Sequence, residues 1–184
     1  MARVSLVLTV LGPDRPGLVE ALSDTIKRHD ANWLGSRMAR LSGQFAGIVH
    51  VHADAAAADA LTADLLNLRG RGLVVHVGPG EVETAAADRE VPGRVLDLEL
   101  LGQDRPGIVR DLAHALAARG INVAELRTAT ESAAMSGETL FRATACLEAP
   151  AAADLDELHD TLDRLAASLD LDLSLSDRPA ATAT

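Results

Sequence analysis

Leu11-Gly12-Pro13-Asp14-Arg15-Pro16-Gly17-Leu18-Val19 returns as Leu101-Gly102-Gln103-Asp104-Arg105-Pro106-Gly107-Ile108-Val109. The offset is 102 − 12 = 90 residues in a chain of 184. Each copy follows an apolar alternating run and opens an amphipathic one, so each reads as a strand-to-helix turn. Pro16 and Pro106 suit the first helical position, where φ is already helical and the missing N–H would have had no partner. Arg15 and Arg105 precede a proline and are held extended. Gly17 and Gly107 remove side-chain bulk beside the first free N–H groups of a helix, where the dipole favours an anion. The turn therefore reads in two ways: as a seat for a small anion, and as the Pro-Gly punctuation that any tight turn into a helix uses.

Working outward, Val4 to Leu11 alternates as a strand, with Leu6, Leu8 and Val10 on one face. Leu18, Val19, Leu22 and Ile26 form one helical stripe that ends near His29-Asp30. Asn32 to Leu41 and Phe45 to Ala53 flank Ser42-Gly43, a strand pair around a tight turn. Ala55 to Leu68 restores helical spacing through Leu61, Leu65 and Leu68, and Leu73 to Val77 is a short last strand. The order strand, helix, strand, strand, helix, strand is the split βαβ or ferredoxin-like motif.

The second half repeats it. Val95 to Leu101 is a strand, and Ile108, Val109, Leu112 and Leu116 a helix stripe. Asn122 to Glu131 and Leu140 to Glu148 form the hairpin. Leu155, Leu158, Leu162, Leu165 and Leu169 mark the second helix, and Leu171 to Ser176 the final strand. The fold class is α+β: two βαββαβ modules, each an antiparallel four-stranded sheet with two helices on one face. We expect modules at 1–78 and 94–176, a small, acidic linker at 79–93 and a disordered tail at 177–184. Aligning Gly43 with Gly137 gives the second hairpin about four extra residues, around 130–136.

Composition narrows the function. The net charge is −10, and Trp33, Phe45 and Phe141 are the only aromatic residues. There is no basic block and no set of stacking rings, so direct nucleic-acid binding is not expected. One cysteine, Cys146, allows no internal disulfide and agrees with a reducing cytoplasm. No apolar run approaches the ~20 residues of a membrane span, and Met1-Ala2-Arg3 leads straight into a strand without a signal pattern. The expectation is a cytoplasmic protein.

Two βαββαβ units, each with Gly-x-Asp-Arg-Pro-Gly-(Leu/Ile)-Val after its first strand and an Asn opening its second, resemble tandem ACT domains. The resemblance covers almost the whole chain, in the arrangement of the stand-alone double-ACT regulators of the glycine cleavage system transcriptional repressor type. It implies a non-enzymatic regulator that binds a small amino acid, glycine or serine first, where the first turn of one module meets a neighbouring module. Carried over by position, Asp14 and Asp104 face the ligand ammonium. The backbone N–H groups of Gly17, Leu18, Gly107 and Ile108 face its carboxylate. Arg15 and Arg105 share these turns, and Asn32 and Asn122 face the ligand or pin a loop. The other reading of the aspartates is hydrogen bonding at helix entry. The resemblance also implies a protein partner, a DNA-binding activator. It implies no cofactor and no metal. Open sheet edges point to modules packed side by side or across a homodimer.

Three other readings compete. Acylphosphatases share this chain order and use a phosphate-cradling first turn with an Arg and an Asn on the second strand, which Arg15 and Asn32 mimic. A protein-interaction module without a small ligand is the second. His50-Val51-His52 puts two imidazoles on one strand face, but His76 belongs to a strand about 9–10 Å away across the first one, too far to share an ion. Cys146 has no activating partner in sequence, and Trp33 reads as a packing anchor.

Overall fold

The computed structural model describes residues 2–80, 93–132 and 137–178. Two compact units, Met1–Arg89 and Glu90–Thr184, divide the chain. The first holds β1 (Arg3–Pro13), α1 (Leu18–Arg28), β2 (Asn32–Leu41), β3 (Gln44–Asp54), α2 (Ala58–Asn67), a 3-10 turn (Leu68–Arg71) and β4 (Val74–Pro79). The second holds β5 (Arg94–Gln103), α3 (Ile108–Ala117), β6 (Asn122–Ser132), β7 (Thr139–Ala149), α4 (Leu155–Leu169) and β8 (Leu171–Asp177). Both sheets are antiparallel, ordered β2-β3-β1-β4 and β6-β7-β5-β8. Each module is the expected split βαβ sandwich.

Strand alternation sorts the side chains into two faces. Leu8, Val10, Val49, Val51 and Val75 turn inward and are buried against Leu18, Leu22, Ile26, Leu61 and Leu65 of the helices. In the second module Leu96, Leu98, Leu100, Ala143, Ala145 and Leu147 meet Ile108, Leu112, Leu116, Leu158 and Leu162. Each module therefore has its own core. Val19 and Val109, expected on the helix stripe, are 45% and 40% exposed. One residue beyond Leu18 or Ile108 is a rotation of about 100°, and Ala21 and Thr25 complete the buried face of α1 instead.

The end of the first helix of each module is tied to the second helix, at Asp64 in the last turn of α2 and at Glu157 in the first turn of α4. In the first module His29 Nε2 lies 2.9 Å and Arg28 Nη1 3.4 Å from Asp64 of α2. In the second, Arg119 donates to Glu157 of α4 at 2.8 Å.

The hairpins differ more than a Gly43–Gly137 alignment suggests. Ser42 and Gly43 both take positive φ, 48° and 77°, the twist a two-residue hairpin needs. Asp14 N donates to Gly43 O, and its counterpart Asp104 N donates to Thr139 O, both at 2.8 Å. Thr139, not Gly137, thus occupies the position of Gly43. Leu41 pairs with Gln44 across two residues and Glu131 with Leu140 across eight, so the second hairpin is longer by six residues. Of that segment, 133–136 lie outside the described residues, as do 81–92 of the expected linker and 179–184 of the expected tail. The second module continues past Ser176: β8 includes Asp177, and Arg178 N donates to Val95 O at 2.8 Å.

Candidate functional site

The repeated turn connects β1 to α1 and β5 to α3. Pro16 and Pro106 are not the first helical residues. The helices start at Leu18 and Ile108, and Gly17 and Gly107 are the N-caps with φ of 89° and 103°. That left-handed conformation is what requires glycine. Pro-Gly therefore forms the turn before the helix, and the first intrahelical bonds are Ala21 N to Gly17 O and Asp111 N to Gly107 O, both 2.9 Å.

No side chain caps α1 or α3, whereas Asp154 caps α4 by accepting from Glu157 N at 3.0 Å. The aspartates of the motif therefore do not serve as helix caps. Asp14 is exposed and accepts from Arg40 Nη1 of β2 at 3.3 Å. Asp104 is exposed, and among the described residues its side chain has no ion-pair partner. The first turns bring their own acids: Glu20 Oε2 lies 3.8 Å from where a Gly17 Cβ would stand, and Asp111 Oδ2 3.7 Å from the same point on Gly107. Each turn thus offers uncapped backbone donors flanked by carboxylates, which suits a zwitterion better than a simple anion.

The arginines have a different task. Arg105 Nη2 donates to the carbonyl of Leu169, the last residue of α4. Arg15 holds the equivalent place, with Nη2 3.0 Å from where a Gly72 Cβ would stand. Arg105 thus ties the first turn to the entrance of β8, and Arg15 lies beside the equivalent junction before β4. The preceding glycine serves the same junction. A Cβ on Gly12 would overlap the carbonyl of Gly72, and one on Gly102 the side chain of Leu171. Sequence reading passed over Gly12 and Gly102; their presence in both copies, at a strand end that needs no turn, was the available signal. Arg40 had no such signal, because it reaches the turn only through folding, whereas Glu20 and Asp111 follow their glycines by three and four residues and were legible as acids in a first helical turn.

Asn32 and Asn122 lie elsewhere. Asn32 pairs with His52 and through it with Ser5, whereas Pro13 at the turn pairs with Gln44. Eight residues of strand, about 26 Å, separate the two levels. Asn122 is placed alike, and its Nδ2 donates to Glu148 Oε2 at 2.9 Å. Within one module neither asparagine shares a small ligand with the turn. The same spacing keeps Arg15 and Asn32 apart, so a phosphate cradle of the acylphosphatase kind is not assembled within the first module.

His50 and His52 stack edge to face with centroids 5.3 Å apart, and His50 Nε2 shares a 2.7 Å hydrogen bond with Ser5 Oγ. His76 pairs with Thr9 on the far side of β1. Among the described residues no three His, Cys, Asp or Glu side chains are placed to hold a metal. Trp33 packs on the first core. Cys146 is half-buried on the sheet face opposite the helices. Beside it Arg178 pairs with Asp97, which holds that carboxyl below its usual range and raises the guanidinium. Among the described residues no helix is long and apolar enough to cross a membrane.

Two split βαβ sandwiches built on one repeated turn define a duplicated ferredoxin-like protein of the α+β class. The chain belongs to the ACT-domain family: ACT-domain models match residues 5–77 and 97–163. The crystal structure of an unknown protein from Galdieria sulphuraria is similar over 97% of this chain and 100% of that one, at 30% identity and a TM-score of 0.84. A protein proposed to be a glycine cleavage system transcriptional repressor matches over 97% of this chain and 99% of its own, at 18% identity and a TM-score of 0.70, a likeness of fold. No curated protein matches the chain.

Proposed function

We propose that this chain is a non-catalytic regulator that binds a small amino acid at the Asp-Arg-Pro-Gly turn of one or both modules and acts by contact with another protein. The observation that carries the reading is the doubled turn with its uncapped helix start and adjacent carboxylates. Free N–H groups at a helix start suit a ligand carboxylate, and Asp14 or Asp104 its ammonium. Glycine comes first among ligands and serine second, because the fold neighbour at 18% identity is a protein proposed to be a glycine cleavage system transcriptional repressor. The family resemblance makes a DNA-binding activator the candidate partner. An indirect route suits a chain of net charge −10. Since turn and asparagine lie about 26 Å apart in a module, the proposed site within a module is the turn without the asparagine.

Calorimetric or thermal-shift titration of the full chain against the amino acids tests this. Glycine or serine is expected to raise the melting temperature by mass action, and Asp14→Ala with Asp104→Ala to abolish the rise. A flat response across the panel would leave an interaction module without a small ligand.

A further inference from the structure

In each module the helices cover one sheet face, and the other carries the alternate residues of the strands. On the open face of the first module His50 and His52 are neighbours along β3, and both are half-buried, as is Ser5. His50 pairs across β1 with Val7, and His52 with Ser5. Yet the His50 ring reaches the next row, where its Nε2 shares the 2.7 Å hydrogen bond with Ser5 Oγ. The ring is therefore held on the His52 side of its own row. The two imidazoles stand edge to face, with centroids 5.3 Å apart and planes at 83°.

That separation is the one two ligands of a single ion take. With a zinc–nitrogen bond of about 2.0–2.1 Å and about 1.1 Å from ring nitrogen to ring centre, each bound imidazole is centred about 3.2 Å from the metal. Two such rings at a tetrahedral angle lie about 5.2 Å apart.

The surroundings leave room for an ion. The row of Gly35, His50, Val7 and Gly78 has glycine at both ends. Neither glycine has a positive φ, and a Cβ would meet nothing within 4 Å on Gly35 and nothing nearer than 3.9 Å on Gly78. The bulge before Gly35 does not demand glycine either, since the equivalent bulge of the second module is followed by Glu125. In the His52 row, Gly80 N donates to Ser5 O at 2.8 Å, and a Cβ on Gly80 would overlap the Ser5 hydroxyl. Glycine inside a strand marks a place of close approach, and three of them surround this pair.

The second module supplies an internal control. Where the first has Ser5, Gly35, His50, His52 and Gly78, the second has Val95, Glu125, Cys146, Glu148 and Ser176. The fold alone therefore requires neither the imidazoles nor the open space beside them.

We infer that His50 and His52 form a binding site for a divalent transition-metal ion of the kind that imidazole prefers, zinc or copper. The two imidazoles bind the ion, Ser5 orients the His50 ring, and water fills the positions that the glycines leave open. No permanently charged side chain stands in the two rows. Arg37 lies one row beyond His50, and Arg3 and Asp54 face each other one row beyond His52. His76 pairs with Thr9, outside both rows, and takes no part.

Isothermal titration of the chelator-treated full chain with zinc chloride, in the absence of amino acids, tests the site. Saturable binding is expected. His50→Ala with His52→Ala is expected to weaken it at least ~10-fold with an unchanged circular dichroism spectrum, and His76→Ala to leave it as it is. Should the double variant lose structure, His52→Gln alone serves as the readout. Electron paramagnetic resonance of the copper-loaded chain reads the donor set directly, and coupling to two nitrogens is expected. The inference is overturned by the lack of saturable heat up to about 1 mM zinc, by an affinity that the folded variant keeps or that His76→Ala lowers as much, or by copper coupled to fewer than two nitrogens.

Discussion

Arg105 is the residue whose meaning changes most on folding. In sequence it stands between an aspartate and a proline and looks like part of an anion seat; in the structure its guanidinium donates to the last carbonyl of α4. A charge-assisted bond to a helix-end carbonyl contributes about 1–3 kcal/mol. Arg105→Ala is expected to lose that much stability in urea denaturation of the second module while leaving the unfolding of the first module unchanged. Gly12→Ala forces a Cβ onto the Gly72 carbonyl, between backbones that cannot yield cheaply. We expect a loss of about 1–3 kcal/mol, seen as a lower melting temperature of the first module. Gly17 was legible as a special position, but for its lack of bulk. Its φ of 89° is the stronger reason, and no pattern of residue types displays a dihedral angle.

At the scale of elements, the helix pairs are held by polar ties that sequence periodicity does not reveal. Asp64 receives the His29 imidazole, with Arg28 beside it, and its carboxyl is held below the usual range chiefly by the His29 hydrogen bond. A depressed folded-state value means that this contribution is complete above the ordinary carboxylate range. It disappears as the pH falls through the lowered folded value. Asp64→Asn is therefore expected to flatten the acid limb of the first module's stability curve, followed by its melting temperature from neutral pH to pH 3 (roughly the lower end of carboxylate titration). Strands and helices themselves were legible because their periods repeat over ten or so residues. The true offset between hairpins was not, because glycine occurs in both turns at inequivalent positions, and only pairing of Gln44 with Leu41 and of Leu140 with Glu131 settles the register.

The whole molecule is two cores on one chain, residues 8–75 around Leu22 and Leu65 and residues 96–171 around Leu116 and Leu162. Among the described residues no side chain belongs to both. Leu162→Ala should therefore cost about 2–5 kcal/mol in one module, and calorimetry should show one shifted transition beside one unmoved. Duplication was plain from the repeated turn, and the ACT fold followed from it. The contrast in charge is subtler: residues 1–78 hold 8 basic and 7 acidic side chains, residues 94–176 hold 7 and 15. The net −10 therefore belongs to the second module and linker, which left the near-neutral surface of the first hidden inside an average.

The bond from Arg105 to Leu169 also sets an order of assembly. Its partners are 64 residues apart, so the turn that would greet a ligand gains its last support only when the end of the module has been made. Contacts of such separation form late in folding, after loop closure has been overcome. On the ribosome, a second module still lacking α4 would carry its whole Asp-Arg-Pro-Gly turn without the carbonyl to which Arg105 donates.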